Sequence, residues 1–332
     1  MAEKRFPYIV GLGEVLWDIL PSGARLGGAT ANFAVFCARM GNRAALISSI
    51  GEDEYGIAAR RILTQPNLDL RNLQVSPSHP TGTVEVVFSA ANQPSYSIST
   101  GVAWDFIELT PEAYEAALAA DAVCYGTLAQ RSPISRSTIR GLVEGTTPEC
   151  VRICDVNLRL PYCQPELLRW SMAQATVIKV SDEELPLVFS LLGEAGLRDP
   201  QILNLQQKAP GKAATALLEY FPNCRLVAIT LGAQGSLLAT REEICQHPGF
   251  AIELVDTVGA GDAFTAGLAH AYLRGAPLAA MAEIGNLCGG FVASRPGASP
   301  PLSKELTEKI ASLLGGTSGF AAETEAMRES KS

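Results

Sequence analysis

The stretch DTVGAGDAF (256–264) places the carboxylate of Asp262 directly behind a Gly-Ala-Gly turn and ahead of an apolar run with helical spacing. Unpaired N–H groups and the positive end of the helix dipole attract anions to a helix N-terminus. Glycine lets backbone amides approach such an anion closely. The stretch therefore predicts a turn that holds a phosphate, with Asp262 beside it to take a proton. The alternative is that Asp262 only caps the helix.

Two other nucleotide signatures are excluded. In GLGEVL (11–16) the third glycine of a dinucleotide fingerprint is replaced by Leu16. In QQKAPGKAA (206–214) a P-loop would need glycine in place of Gln206 and Ser or Thr in place of Ala213. The sequence therefore supports neither a Rossmann dehydrogenase nor a P-loop enzyme, so another loop must hold any phosphate.

The composition favours a protein that acts on a small molecule. The chain has 332 residues, of which 47% are hydrophobic and 18% charged, enough apolar material for a large core. The formal net charge is −8 and no basic stripe is present, so nucleic acid is not an expected partner. Eight scattered cysteines lack metal-site spacing and indicate reduced structural thiols. No secretory or membrane-spanning segment is evident, which predicts a cytoplasmic protein without a membrane partner.

Short apolar runs alternate with helix-period stretches along the chain. This rhythm predicts a mostly parallel sheet covered on both faces. The predicted buried strands lie at 8–14, 44–53, 121–128, 151–157, 175–181 and 226–232, with a helix within 27–41. The segment 81–99 instead alternates apolar and polar residues around a turn, which predicts a hairpin that serves as a lid or a dimer surface.

Several of these stretches together resemble the ribokinase, or pfkB, family of sugar kinases. DTVGAGDAFTAG resembles its C-terminal signature, GGATANFAVFCARMG with GEDEYG its N-terminal signature, and ITLGAQGS its nucleotide-phosphate loop. The resemblance extends from Ile9 to Leu314 and is closest to bacterial fructokinases. It implies a three-layer α/β/α ribokinase-like domain over 1–314, with a mostly parallel central sheet. The same resemblance implies a small β lid from about 12–26 and 81–103, and composition predicts a flexible tail over 315–332.

The resemblance also implies an activity. Asp262 matches the general base that takes the proton of a sugar hydroxyl, and the backbone of Gly259, Ala260, Gly261 and Asp262 matches an anion hole. Phosphoryl transfer depends mainly on positioning and charge stabilisation, which such a turn supplies. The expected reaction moves the γ-phosphate of ATP to a primary hydroxyl of a small sugar.

On the nucleotide side, Glu184 matches the acidic end of a family motif that acts on Mg²⁺ through water, with Ser181 where the family has Asn. A capping serine and an acidic first helical turn explain the same residues. The other expected nucleotide-side residues are Lys179, Thr230, Gly232, Gly235 and Asn286, the last with a surface helix position as its alternative. Asp256 resembles a position that binds K⁺, with backbone carbonyls of Val258 and Gly297 as partners.

On the sugar side, the resemblance implies Asp18, Gly28 and Asn32, whose short polar side chains suit paired hydrogen bonds with hydroxyls. Arg159 in DVNLRLPY resembles a fructokinase-like D-x-N-x-R motif. The alternatives are a turn residue for Asp18, a polar residue at a helix start for Asn32 and a surface loop arginine for Arg159.

Fructose is the expected substrate. A 2-keto-3-deoxygluconate kinase must hold a substrate carboxylate, yet the ten residues after Tyr96 contain no Lys or Arg. That acid sugar, or another sugar or nucleoside, remains an alternative substrate, and a non-catalytic sugar sensor on the same fold is an alternative of another class. A homodimer through the 81–99 hairpin is also expected, because an exposed two-stranded flap is only marginally stable alone.

Overall fold

A central sheet of mostly parallel strands organises the protein in the computed structural model. The structure describes residues 6–21, 23–88, 94–194 and 209–315. Its strands are β1 (Tyr8–Leu12), β2 (Leu16–Leu20), β3 (Gly23–Gly27), β4 (Arg43–Gly51), β5 (Leu68–Asp69), β6 (Leu73–Ser76), β7 (Gly82–Phe88), β8 (Pro94–Ile98), β9 (Ala122–Tyr125), β10 (Val151–Asp155), β11 (Val177–Ser181), β12 (Leu226–Thr230), β13 (Ser236–Ala239) and β14 (Ile244–His247).

The helices flank these strands in the chain and follow the predicted βα rhythm. They are α1 (Ala29–Arg39), α2 (Glu54–Leu63), α3 (Pro111–Leu118), α4 (Pro133–Glu144), α5 (Pro165–Gln174), α6 (Leu185–Glu194), α7 (Pro210–Tyr220), α8 (Ala260–Tyr272), α9 (Leu278–Ala293) and α10 (Lys304–Leu313). No helix in the described ranges is long and apolar enough to cross a membrane.

The strand order across the central sheet is β14-β13-β12-β11-β10-β9-β1-β4-β5, with β6 also paired to β4. The pairs from β12 to β5 are parallel, and β13 and β14 add an antiparallel edge. One apolar core packs α3 to α7 against one face, and another packs α1, α2 and α8 to α10 against the other. The predicted three-layer architecture is therefore confirmed.

A smaller sheet stands beside the central one, in the order β3-β2-β7-β8. β7 and β8 pair antiparallel with Val84 opposite Ile98, which confirms the predicted pairing within 81–99, although its turn lies outside the described residues. β2 joins this hairpin in parallel and β3 in antiparallel orientation. Because Asp18 lies within β2, the alternative that it is a turn residue is wrong. Residues 316–332 of the predicted tail also lie outside the described ranges.

The cysteines behave as expected for structural thiols. All eight are free, and all except Cys245 are buried. Burial raises the pKa of the Cys37, Cys124 and Cys154 thiols well above the ordinary value, so these groups stay protonated and behave as small apolar side chains.

Candidate functional site

The glycine turn before α8 has the geometry of an anion site. Gly259 has a φ of 79°, and a Cβ there would lie 2.3 Å from the carbonyl oxygen of Ala298, so only glycine fits. The amide of Ala260 donates to the carbonyl of Thr257. The amides of Gly259, Gly261 and Asp262 donate to no described residue. Three of the four predicted amides are thus available to an anion at this helix N-terminus.

Asp262 lies in the first turn of α8, deeply set but with part of the residue accessible. Burial and the charge of Asp155 raise its pKa to about 7, against the hydrogen bond from Asn32 and the charge of Lys179, which lower it. A carboxylate that titrates near neutral pH is matched to general-base chemistry. The ionised, proton-accepting form dominates above about pH 7 and is lost as the pH falls below that value.

Asn32, predicted as a sugar ligand, contacts Asp262 directly. It is buried in the first turn of α1, and its Nδ2 donates to Oδ2 of Asp262 at 2.8 Å. Gly28 precedes α1 with a φ of 107°, and a Cβ there would lie 2.3 Å from the carbonyl oxygen of Glu14. The start of α1 therefore packs closely on the end of β1 and orients one oxygen of the base.

Lys179 is buried behind the glycine turn and paired with Asp155. Its Nζ lies 3.1 Å from Oδ1 of Asp155, and the two residues are register partners of the parallel strands β10 and β11. Oδ2 of Asp155 accepts from the hydroxyl of Thr265 at 2.9 Å. Sequence reasoning missed Asp155 and Thr265. An acid at the carboxyl end of a buried strand, inside the D-x-N-x-R motif, was the available signal for Asp155.

Glu14 is a second residue that sequence reasoning missed. It follows β1, is only 2% exposed, and accepts the amide of Ala29 at 3.1 Å through Oε1. Its Oε2 has no hydrogen-bond partner among the described residues. Burial raises the pKa of Glu14, with Arg159 opposing and Asp155 adding to the shift. Its position after a strand, near the expected sugar residues, was the signal in the sequence.

Glu184 is held from one side by a network of donors. Its Oε2 accepts from the amide and hydroxyl of Ser181 at 2.8 and 2.9 Å, and its Oε1 from the amide of Leu158 at 2.6 Å. The serine that replaces the family asparagine thus orients the carboxylate. No cluster of three or more His, Cys, Asp or Glu suited to a metal occurs in the described part of the chain. A single fixed carboxylate fits Mg²⁺ bound through water, since Mg²⁺ keeps several waters beside substrate phosphates.

The predicted nucleotide loop follows β12. Thr230 ends that strand, and Gly232 has a φ of 55° with open space around its Cβ position. Gly235 has a φ of 84°, and a Cβ there would lie 2.0 Å from the carbonyl oxygen of His247. Both glycines therefore allow a turn that other residues would strain.

Asn286 is 8% exposed on α9, so the alternative of a surface helix position is wrong. Its Nδ2 donates to the hydroxyl of Ser236 and to the carbonyl of Ala282, both at 2.7 Å. The bond to Ser236 attaches α9 to β13, the strand that follows the nucleotide loop, whereas Ala282 lies one turn earlier in α9 itself. A buried amide needs such partners, which explains its position.

Asp18 and Arg159 lie on the sugar side. Burial raises the pKa of Asp18, the charge of Arg159 opposes the shift, and the charge of Asp256 adds to it. A Cβ at Gly27 would lie 2.6 Å from Oδ2 of Asp18, so this glycine leaves room for the carboxylate. Arg159 is an exposed loop residue whose Nη1 donates to the carbonyl of Leu158. Its electrostatic effect on Asp18 and Glu14 places it near both carboxyls.

Asp256 contacts hydrogen-bond donors on both oxygens. Its Oδ2 accepts from Nη1 of Arg25 at 2.5 Å and from the amide of Gly297 at 3.1 Å, and its Oδ1 from the amide of Val258 at 3.1 Å. The two residues whose carbonyl oxygens are the expected cation ligands, Val258 and Gly297, thus both donate their amides to this carboxylate. The guanidinium of Arg25 thus contacts the Oδ2 atom of the carboxylate that the resemblance assigns to a monovalent cation.

Comparisons with known proteins agree with this geometry. The profile of the pfkB family carbohydrate kinases matches residues 23–305. A probable chloroplastic fructokinase of Arabidopsis thaliana is 28% identical over 91% of this chain and 81% of its own length. A fructokinase of Klebsiella pneumoniae is 29% identical over 88% of this chain and 94% of its own.

Solved structures extend the comparison. An uncharacterized sugar kinase of Pyrococcus horikoshii superimposes with a TM-score of 0.76 and 26% identity, over 93% of this chain and all of that one. A structure of the same protein in complex with ATP gives a TM-score of 0.75. A fructokinase of Vibrio cholerae, with fructose, ADP and calcium bound, shares the fold at 23% identity and a TM-score of 0.71. The profile match, the fold and the glycine turn agree, and the chain belongs to the pfkB family of carbohydrate kinases.

Proposed function

We propose that this carbohydrate kinase transfers the γ-phosphate of ATP to a primary hydroxyl of a small neutral sugar, with fructose as the best candidate. The observation that carries the proposal is Asp262, a carboxylate with a pKa of about 7 at the glycine turn and hydrogen-bonded by Asn32. Relatives named fructokinase and an ATP-bound relative support the choice of substrates.

Asp262 acts as the general base. Asn32 donates to Oδ2, which leaves Oδ1 to accept the proton of the sugar hydroxyl as that oxygen attacks phosphorus. The amides of Gly259, Gly261 and Asp262 stabilise the charge on the transferring group. Since these donors are fixed by the helix start, they need little reorganisation during the reaction.

Nucleotide binding involves the loop after β12 and the helix α9. Thr230, Gly232 and Gly235 lie in the segment assigned to the ATP phosphates and ribose. Asn286 lies on the helix assigned to adenine. Glu184 is the residue that would hold Mg²⁺ through water, and the ion supplies charge neutralisation on the phosphates when bound. Ser181 and Leu158 keep the Glu184 carboxylate in one orientation for that purpose.

The charges on the sugar side favour a neutral substrate. Asp18 and Glu14 are acidic and desolvated, and Arg159 is an exposed cation that already lies within their electrostatic reach. Asp18, Gly28 and Arg159 are assigned to the sugar. A substrate carboxylate would face these acids and lose much of its solvation, which is costly without a dedicated cation.

A panel of sugars assayed for ATP consumption tests the proposal. We expect fructose to stimulate ADP release, and 2-keto-3-deoxygluconate and nucleosides to have little effect. The product should resist periodate at the phosphorylated primary carbon. Binding of a sugar without turnover would support the sensor alternative, and preference for the acid sugar would overturn the neutral substrate.

We also infer a homodimer through the smaller sheet β3-β2-β7-β8, called the lid sheet below. In the described part of that sheet, β3 and β8 form the edges, and unpaired edges can pair with a second copy. Light scattering at micromolar concentration should give twice the monomer mass, and a monomeric mass would overturn the assignment.

A further inference from the structure

The buried pair Asp155–Lys179 lies at the carboxyl ends of adjacent strands, beneath the turn that begins α8. The Asp155 and Lys179 side chains are only 5% and 7% exposed. A Cβ on Gly261 would lie 3.0 Å from Nζ of Lys179, so the ammonium packs against the backbone of the anion hole itself. Any larger residue at 261 would push this cation away from the turn.

Thr265 connects the pair to the same turn. Its hydroxyl lies 2.9 Å from Oδ2 of Asp155 and 2.9 Å from the carbonyl oxygen of Gly261, one helical turn earlier. The carboxylate of Asp155 is therefore held by β11 through Lys179 and by α8 through Thr265. A displacement of Asp155 would be transmitted to the first turn of α8, where Asp262 lies.

The groups that face Asp262 come from four elements. Asn32 is contributed by α1, Glu14 by the residues after β1, Asp155 by β10 and Lys179 by β11. Burial alone would lower the pKa of Lys179, but the charges of Asp155, Glu184 and Asp262 outweigh it and raise the pKa. Lys179 therefore stays protonated and is the buried cation among these acids.

We propose that Asp155 and Lys179 are positioning residues which together hold the anion-hole turn and set the proton affinity of the general base Asp262. The proposal rests on the proposed function, because it assigns a role relative to Asp262 as base. It differs from the sequence-based assignment of Lys179 to the nucleotide, and it gives a role to Asp155, which had none.

The pH dependence of kcat/KM for the sugar, at saturating MgATP, distinguishes this role from a structural one, since it reports the base in the free enzyme. Asp155→Asn removes a negative charge near Asp262, so the acid limb should move to lower pH. Lys179→Met removes the opposing positive charge, so the limb should move to higher pH. We expect each midpoint to move by about half a pH unit or more, roughly threefold in proton affinity.

A double variant and a remote ion pair serve as controls. Asp155→Asn combined with Lys179→Met removes both charges, and its midpoint should return close to that of the wild type. Asp105→Asn breaks an equally buried pair, Arg131–Asp105, that does not contact the site. This variant should lose stability while its pH midpoint remains that of the wild type.

The positioning role has its own test at Thr265, which changes no charge. Thr265→Val should lower kcat about tenfold at unchanged KM for the sugar, and Thr265→Ser, which keeps the hydroxyl, should remain near wild type. These two variants test the positioning role even if Asp155→Asn or Lys179→Met does not fold.

The outcomes separate the inference from the proposed function. Absence of sugar-dependent turnover in the wild type overturns the function itself. Normal wild-type turnover with equal midpoints in Asp155→Asn and Lys179→Met overturns the role in proton affinity. Wild-type kcat in Thr265→Val overturns the positioning role.

Discussion

The protein contains two ion pairs of almost equal burial with different surroundings. The side chains of Arg131 and Asp105 are 6% and 5% exposed, and those of Lys179 and Asp155 are 7% and 5% exposed. Asp105 accepts two bonds from Arg131 at 2.8 Å and two more from backbone amides. Asp155 accepts one bond from Lys179 and one from Thr265.

The surroundings explain the difference. The guanidinium of Arg131 stacks 3.9 Å above the ring of Trp104 and 4.7 Å from that of Tyr162, and it donates to the carbonyl of Ser99 just after β8. This pair therefore fixes the loop that follows β8. The Asp155 carboxylate accepts fewer hydrogen bonds than that of Asp105. Its negative charge acts on Asp262, the proposed base, and raises the pKa of that group. Burial of a pair therefore does not reveal its role, whereas its remaining hydrogen-bonding capacity and its neighbours do.

Asp262→Asn should have the largest effect. We expect kcat to fall by about 10² to 10⁴, or roughly 2.7 to 5.4 kcal/mol, because the amide keeps the shape but cannot accept the proton. ATP binding and the fold should be retained. Steady-state kinetics and calorimetric titration of ATP measure both, with Asp105→Asn as the control that keeps most of its kcat. A near-normal kcat would show that Asp262 is only a cap.

Asp105→Asn should lower the free energy of unfolding more than Thr265→Val does. It leaves the buried guanidinium of Arg131 without its partner, which costs about 3–5 kcal/mol of unfolding free energy. Thr265→Val removes a hydrogen bond to the Asp155 carboxylate, worth about 1.5–3 kcal/mol, so denaturant unfolding of the two variants should show the smaller loss in Thr265→Val. Equal losses in the two variants would contradict the difference drawn between the two pairs.

The pH dependence of stability should show how much the buried carboxylate of Asp262 destabilises the fold once it is ionised. The folded pKa of Asp262 is raised from 3.8 to about 7, so its contribution to stability is present at low pH and is lost as the pH rises through 7. Asn does not ionise, so the Tm of Asp262→Asn relative to wild type should increase from pH 5.5 to pH 8.5. A constant Tm difference across this range would contradict the raised pKa.

Arg25→Met should have the smallest effect on the free energy of unfolding. The Arg25 side chain is 39% exposed, and ion pairs of exposed side chains contribute little to stability. In the wild type, replacing K⁺ with a large organic cation at constant ionic strength should change kcat less than twofold, because Arg25 already contacts Asp256. The variant should respond more strongly to K⁺, since Asp256 is then free of the guanidinium. Equal K⁺ responses of the two proteins would show that Arg25 does not compete with a cation.

The layered fold could be predicted from sequence because apolar strands and amphipathic helices follow local periodicity. The glycine turn and the family resemblance followed from contiguous motifs, whereas the strand order could be read only from the structure. The network behind Asp262 could not, since Thr265 and Asp155 are distant in the chain and meet only after packing. The burial of Asn286 against β13 and the position of Asp18 in a strand likewise depend on contacts between distant segments. The Arg25–Asp256 pair depends on how the lid sheet sits, which no local pattern encodes.

The parallel pairing of β2 with β7 has a consequence for how the protein folds. Leu16 lies opposite Gly82, and the chain between them builds α1, β4 and α2 of the main domain. A pair of such sequence separation closes a long loop, and the entropy of that closure is offset only once the intervening elements have packed. The small sheet β3-β2-β7-β8 should therefore form late during folding, and its amides should exchange with solvent sooner than those of β1, so this sheet is the last part assembled and the first to open.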